Sequence, residues 1–382
     1  MKIAHVCSFW NPAICGVKQV VEELAKRQIA QGHEVHVYCS DWDKEKRQST
    51  KEEIINGIHI HRCYHWFRVA NFATVWPSIL WKLPKENFDM IHTHVSGHAH
   101  TFFASFIAKI KKIPLVHTTH CPWSDTHRSI TGRIFMGLTY QTFMRLSFIW
   151  SQKIIAITPW ELSYIKKYGG KNPMVIPNGM DSIFFKEIKK NTFKQKNKIQ
   201  GKMILFFGRL NITKGPDKFV LAAKEILKER KDLTFVLLGP DEGMKPTIES
   251  MIKDTPIKLL PPLHNRKEIA EMYQAAQCFV LPSFREGLPL TLFEAMASGL
   301  PIVASPVNGI PFAMNEDNGF LVNYGDISTL KEKILTIVDN KKLADKISKN
   351  NKRKALAYNW DVIEKKYMKA YEEAKLQISK VS

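Results

Sequence analysis

CFVLPSFREGLPLTLFEAMASGLPIVAS, running from Cys278 to Ser305, decides the fold. Cys278–Leu281 is a short apolar run of the kind that makes a buried strand. A loop from Ser283 to Gly287 follows. Pro289 suits the first turn of a helix, where a missing N–H costs nothing. The spacing predicts a helix to about Ser298, with Gly299 as the left-handed residue just past its end. Leu300–Ala304 is a second buried strand. In a strand–loop–helix–strand unit the loop lies at a strand's carboxyl end and a helix's amino end. Unpaired N–H groups and the helix dipole make that place attractive to an anion such as a phosphate.

Two carboxylates, Glu286 and Glu294, flank this anion site. They would repel a phosphate, so they suit another part of the ligand. An ionised carboxylate only accepts hydrogen bonds, and vicinal hydroxyls of a ribose or a hexose are its natural partners. An anion site with hydroxyl acceptors on either side describes a nucleotide-sugar pocket.

Glu286-x7-Glu294 followed by Ala295-Met-Ala-Ser-Gly299 resembles the signature of retaining glycosyltransferases of the family-4 type. The resemblance implies an α/β protein of the GT-B fold, with two Rossmann-like parallel-sheet domains facing across a cleft. Residues 1–185 would form the acceptor-side domain, with a C-terminal helix, 360–382, crossing back to it. Residues 186–359 would bind the nucleotide sugar. By the same resemblance, Glu294 binds the ribose hydroxyls and Glu286 the donor sugar. The backbone of Gly287, Leu288, Pro289 and Leu290 lies along the diphosphate. The co-substrate is a UDP- or GDP-linked sugar and the acceptor a glycan, glycolipid or lipid-linked glycan, with no cofactor and no metal. The acceptor attacks from the leaving group's side through a short-lived ion pair, so the anomeric configuration is retained.

The rest of the chain adds to this site. Met203–Phe207 reads as the first strand of the second domain, with Gly208-Arg209 and Lys214-Gly215 beyond its carboxyl end. Breaking a bond to a nucleoside diphosphate builds charge on the leaving phosphate, which an arginine fork and a lysine ammonium can hold. Arg209 and Lys214 match the family's diphosphate-binding pair. Thr234–Leu238 and Ile257–Leu263 read as further strands. His264, after the second of these, matches base-contacting loop residues of the family. Residues 186–200, rich in Lys, Asn and Gln, read as an exposed linker.

At the other end, Lys2–Cys7, a loop to Gly16, a helix to about Gly32 and the strand His33–Cys39 form a βαβ opening. Gly16 would let a backbone N–H approach a phosphate closely. The family often has two adjacent glycines here, and this chain has Cys15-Gly16. Ile58–Arg62, Met90–His94, Pro114–Thr119 and Lys153–Thr158 are the next strands. His120 ends one of them, where a doubly wound fold places its ligands, and the resemblance sets it against the transferred sugar. His117 is expected inside the sheet.

All but one of the 14 histidines precede residue 128. The strand pairs among them are expected to point to opposite faces, and no carboxylate or cysteine is spaced to complete a metal site. Six cysteines, with no CxxC pair, read as reduced thiols of a cytoplasmic protein. The amino terminus begins directly as a strand, without a signal peptide's apolar core. No apolar run reaches the roughly 18 residues of a spanning helix.

The chain has 382 residues, enough for two domains, and a formal net charge of +20. Such a balance favours acidic partners. Residues 62–150 mix Lys and Arg with Trp66, Phe67, Phe72, Trp76, Trp81, Trp123, Phe135, Tyr140, Phe143, Phe148 and Trp150. From Ile91 to Trp160 Asp125 is the one acidic residue. That mixture suits peripheral binding to the anionic inner face of a membrane, or packing of a core. No nucleic-acid partner is expected. The alternatives are an epimerase or phosphorylase of the same fold, and a non-catalytic basic binder of lipid or nucleic acid.

Overall fold

A computed structural model describes residues 1–13, 15–43, 45–69, 73–120 and 130–379. The readings of Phe72, Trp123 and Asp125, and that of the Phe135 side chain, lie outside the described residues. The chain divides into two compact units, Met1–Asn178 with Asp361–Ser382, and Gly179–Trp360.

The first unit's strands are β1 (Lys2–Val6), β2 (Glu34–Ser40), β3 (Glu52–Ile55), β4 (Ile58–Cys63), β5 (Phe67–Val69), β6 (Ala73–Val75), β7 (Met90–His94), β8 (Leu115–Thr118), β9 (Lys153–Ala156) and β10 (Met174–Val175). Among the described residues eight of them form one sheet, in the order β10-β9-β8-β7-β1-β2-β4-β3. Neighbours pair in parallel, except β3, which runs antiparallel to β4 along the edge. The central strands are covered on both faces, which is why they read as short runs without alternation. Ala4, Val6, Ile91 and Leu115 pack with Trp76 in one core. Val35, Val37, Ile58 and Ile60 pack with Trp10 in another. The helix Gly16–Ala30 buries Val20, Val21, Leu24 and Ala25, the spacing of one helical face.

The C-terminal helix, Trp360–Ser379, begins at the end of the second unit and continues into the first. Tyr367, Ala370, Tyr371 and Ala374 are its buried stripe. Lys153 Nζ lies 2.5 Å from Glu373, and Arg27 Nε 3.2 Å from Asp361. The antiparallel hairpin β5–β6 has no local signal in the sequence.

The second unit's strands are β11 (Lys202–Phe207), β12 (Leu233–Leu238), β13 (Lys258–Leu260), β14 (Cys278–Leu281), β15 (Ile302–Ala304) and β16 (Gly319–Leu321). Their order is β13-β12-β11-β14-β15-β16, with every pair parallel. Ile204, Phe206, Phe219, Phe235, Leu237 and Val280 belong to its core. From β11 the chain builds outward to β13. It then returns to β14 on β11's other side and builds outward to β16. Outside the carboxyl ends of β11 and β14 the sheet therefore has its switch point, the crevice where such folds bind ligands.

Three sequence expectations change here. Residues 186–200 are not a bare linker, because they pack on the second unit. Phe193 and Ile199 are buried, Asn191 Nδ2 donates to Glu271 O at 2.7 Å, and Gln274 bonds the backbone of both Ile188 and Lys186. β13 stops at Leu260, since Pro261-Pro262 offers no N–H to continue a ladder. The helix after β14 runs Leu290–Ala297, and Pro289 stands just before it, extended, with ψ 131°. Gly299 is left-handed as expected, at φ +77°.

Gly215 joins the loop after β11 to the helix Pro216–Leu227. Its φ is +67°, and a Cβ there would meet the Pro282 carbonyl oxygen at 2.0 Å. Both the conformation and the closeness require glycine. Gly215→Ala is expected to lower stability by about 2–4 kcal/mol, read as a lower urea midpoint. A loss within about 0.5 kcal/mol, the level of an ordinary surface change, would show that the two loops do not meet this closely.

Candidate active site

The site grows from the two loops at the switch point of the second unit. The loop after β11 carries Arg209 and Lys214, and the loop after β14 carries Ser283 to Pro289. Asn211 caps the short turn Ile212–Lys214 by accepting from Thr213 N. That turn places Lys214 Nζ 2.5 Å from Glu286 Oε2. The Glu286 side chain is only 2% exposed and that of Lys214 14%. Ser283 Oγ donates to the other Glu286 oxygen at 2.7 Å. Asn308 Nδ2 donates to the Glu286 main-chain oxygen. A buried carboxylate needs such partners to remain charged. The ammonium has three donors, so one bond to Glu286 leaves it capacity for an anion. The helix Leu290–Ala297 begins four residues after Glu286, and the first N–H groups of a helix have no acceptor within it.

Arg209 is exposed, and its guanidinium pairs with Glu242 Oε2 at 2.7 Å. Asn211 Nδ2 lies 3.4 Å from the same oxygen. Glu294, in the second turn of the helix, is buried. Tyr273 donates to its Oε2 at 3.0 Å and Arg266 to its Oε1 at 3.2 Å. Arg266 also lies 3.5 Å from Asp181. Burial pushes the Glu294 carboxyl above its ordinary range, and the Arg266 charge pulls against that. Burial likewise holds the Tyr273 phenol well above its ordinary value. His264 is exposed in the loop before the helix Arg266–Ala275, next to Asn265, which caps that helix. Sequence reasoning missed Ser283, Glu242, Tyr273, Arg266 and Asn308. Ser283 had a signal, since it precedes Glu286 by three residues in the same loop.

In the first unit, Gly16 is the exposed first residue of its helix, with Cys15 extended before it. His120 stands beyond β8 with φ +55°. Its Nε2 lies 3.0 Å from His94 Nδ1. His117 is inside the sheet, bonded to Thr93 and Ser96 at 2.8 Å each. The expectation that the strand histidines face opposite ways is wrong. His92 and His94 are two apart, so they share a face, with ring centroids 4.0 Å apart.

Among the described residues two groups have ligand atoms close enough for a metal ion, His5 with His92 and His94, and Glu34 with His36 and His59. The first is fully buried and brings no carboxylate, so a divalent ion would lose its hydration without an opposing charge. Its ring nitrogens are bonded to one another, to Gln28, to Tyr371 and to Thr118. In the second, Glu34 is already held by Lys2 at 2.9 Å and His36 at 2.8 Å. It starts β2, at the end of the sheet opposite the ligand side of parallel folds.

Stretch 62–150 divides between core and surface. Trp76, Tyr140 and Phe148 are buried, whereas Trp66, Phe67, Trp81 and Phe143 are exposed. The helical stretch after residue 130 also exposes Ile134, Leu138 and Ile149. Among the described residues no helix is long and apolar enough to cross a membrane.

A cationic loop, a buried carboxylate and a helix amino terminus thus come together at a parallel-sheet switch point, an arrangement whose donors and acceptor suit an anion and a hydroxyl. Residues 187–354 match Glycosyl transferases group 1, and residues 14–183 match Glycosyltransferase Family 4. The UDP-Gal:alpha-D-GlcNAc-diphosphoundecaprenol alpha-1,3-galactosyltransferase of Escherichia coli is 31% identical over 284 residues, covering 71% of this chain and 72% of that one. The D-inositol 3-phosphate glycosyltransferase of Corynebacterium diphtheriae is 26% identical over 314 residues, 75% of this chain and 71% of that one. Anabaena HepE in complex with UDP superposes with TM-score 0.78 at 18% identity, over 97% of this chain and 100% of that one. HepE is also solved with UDP-glucose. The chain belongs to the family-4-type glycosyltransferases, and its fold is GT-B.

Glu294 yields a pH prediction. Its folded-state pKa is raised, so the folded protein holds this proton over an interval where the unfolded chain has released it. Its contribution to stability is then full below the ordinary carboxyl value and is lost as pH rises through the folded value. Wild-type stability measured against Glu294→Gln in urea should rise on acidification from about pH 7.5 toward about pH 4.5. A flat difference across that range would show that the carboxyl titrates normally.

Proposed function

We propose that this protein is a retaining, metal-independent hexosyltransferase that uses a UDP-linked hexose. The observation that carries the proposal is the Lys214–Glu286 pair, an ammonium and a buried carboxylate 2.5 Å apart beside a helix amino terminus. Arg209 and Lys214 take up the negative charge that develops as the bond from the sugar to the phosphate breaks. Gly16 and the Gly287–Leu290 backbone add donors to the diphosphate. Glu286 accepts from a sugar hydroxyl, and Glu294 from the ribose through the lone pairs that Tyr273 and Arg266 leave. His264 meets the base and His120 meets the hexose. The acceptor hydroxyl attacks from the face that the phosphate leaves and gives its proton to the departing phosphate oxygen. Configuration is therefore retained without an enzyme nucleophile. The UDP in the galactosyltransferase's name and in the HepE complex supports uracil over guanine. That relative's diphosphoundecaprenol-linked substrate supports a lipid-linked acceptor. Exposed Ile134, Leu138 and Ile149, with Arg133 and Arg145 on the same helical stretch, suit docking to an anionic membrane face.

Thermal shift against UDP, GDP, ADP and their sugars tests the donor. UDP and UDP-hexoses should raise the melting point, and Glu294→Ala should reduce the shift. With a lipid-diphosphate-linked sugar as acceptor, Arg209→Ala and Lys214→Ala should each lower kcat/KM by about 10²-fold or more, and EDTA should change nothing. Loss of turnover with EDTA, restored by metal alone, would remove the diphosphate role from these two cations. Sedimentation with vesicles should show binding to phosphatidylglycerol-rich membranes and weaker binding by Ile134→Asp/Leu138→Asp. Equal binding by the variant would place membrane contact elsewhere.

A further inference from the structure

His120, half-buried, is the outer end of a line of side chains that are otherwise buried. The helix Gly16–Ala30 turns Gln28 inward, where it is fully buried. Gln28 Oε1 lies 2.9 Å from His5 Nε2. His5 Nδ1 lies 3.0 Å from His94 Nε2, and His94 Nδ1 lies 3.0 Å from His120 Nε2. The line thus crosses from a helix through β1 and β7 to the end of β8. At its inner end Gln28 Nε2 donates to the Tyr371 hydroxyl at 3.3 Å. That hydroxyl lies 2.6 Å from His92 Nδ1.

Burial holds His5 down to about 4 and His120 down to about 3, and holds His94 well below its ordinary value. Each ring is then neutral, with one N–H and one lone pair. A line of neutral rings has two consistent settings. With the Gln28 oxygen on His5, His5 carries its proton on Nε2 and accepts at Nδ1. His94 therefore donates from Nε2 and accepts at Nδ1, and His120 donates from Nε2. If the amide were turned over, every donor in the line would reverse. An amide is not a proton sink at neutral pH, so the line orients rather than relays. The backbone supports it at the outer end. Val95 has φ +72° and His120 φ +55°, both costly for residues with a Cβ. Val95 N to Thr118 O at 3.0 Å and Thr101 Oγ1 to Val95 O at 2.7 Å hold the first of these turns.

We propose that Gln28, His5 and His94 are positioning residues that lock His120 in its Nε2–H tautomer, so that Nδ1 meets the donor hexose as a hydrogen-bond acceptor. This rests on the reading of His120 as the residue that meets the sugar. A ring free to exchange tautomers would offer the hydroxyl an N–H part of the time. The locked ring discriminates in favour of a hydroxyl that donates.

The test is long-range nitrogen–proton NMR on full-length protein labelled with ¹⁵N-histidine, with the His120 signals assigned by their loss in His120→Ala. Wild type should show Nε2 protonated and Nδ1 bare. His94→Leu should give averaged nitrogens. His94→Gln, whose amide can accept from His120 and donate to His5, should restore the wild-type pattern. Protonated Nδ1 in wild type, or an unchanged spectrum in His94→Leu, would overturn the proposal. The wild-type spectrum decides the tautomer even if His94→Leu fails to fold. Binding adds the functional readout. His94→Leu should lose about tenfold in affinity for UDP-glucose or UDP-galactose, a difference of about 1.4 kcal/mol, with UDP itself unaffected. In a His120→Ala background it should cost nothing more. Additive losses would overturn the positioning role. If His120→Ala binds UDP-hexose as well as wild type, the sugar contact fails and takes the positioning role with it, while the tautomer result stands by itself.

Discussion

Two parallel strands lying side by side, with their onward connections running in opposite directions, dictate the rest of the second unit. The pairing of β11 with β14 brings together two loops that the chain separates by many residues. Those loops cannot meet unless one of them gives up its side chain. Gly215 does so, lying against the Pro282 carbonyl in a left-handed conformation. Once the loops touch, Lys214 reaches Glu286 across 72 residues of sequence. Arg209 lies on the loop that carries Lys214, and the helix Leu290–Ala297 starts a few residues beyond Glu286. A backbone constraint therefore comes first, and the electrostatics are built on it.

The two units treat buried polar groups in different ways. In the second, buried carboxyls are given cationic partners. Glu286 is neutralised by Lys214, and Glu294 is shared between Tyr273 and Arg266. Along the His5–His94–His120 line of the first, charge is avoided. The imidazoles behind β1, β7 and β8 are driven neutral by burial, and directional hydrogen bonds replace ion pairs. The distinction follows the ligand chemistry each side is read to meet. A diphosphate calls for charge, whereas a sugar calls for fixed donors and acceptors.

Much of the architecture was legible. The strands Met90–His94 and Cys278–Leu281 were read at their observed limits, the second as a short apolar run ended by proline, and Gly299 marked a helix end. Edges and connectors were less legible. β3 reads EEII with two charges, and the β5–β6 hairpin lay within what resembled an aromatic stretch. The polar composition of 186–200 hid the anchors Phe193 and Ile199. In the site, residues with a local spacing could be found, and residues that only support them could not. Tyr273 and Arg266 lie 21 and 28 positions from Glu294. Gln28 and His5 come from different elements and meet only after the sheet has formed. Such partners leave no periodic signal, because folding alone brings them together. The face shared by His92 and His94 was legible from the two-residue period of a strand.

Glu242 bears on the proposed role of Arg209. It occupies Arg209 with an internal carboxylate, on the surface and within hydrogen-bond distance. An exposed pair of this kind is worth only about 0–1 kcal/mol, so a well-fitted diphosphate can displace it at little cost. A stray phosphate offers fewer contacts and gains less from the exchange. On the proposed reading of Arg209, the arginine thus waits under a cover that the donor itself removes.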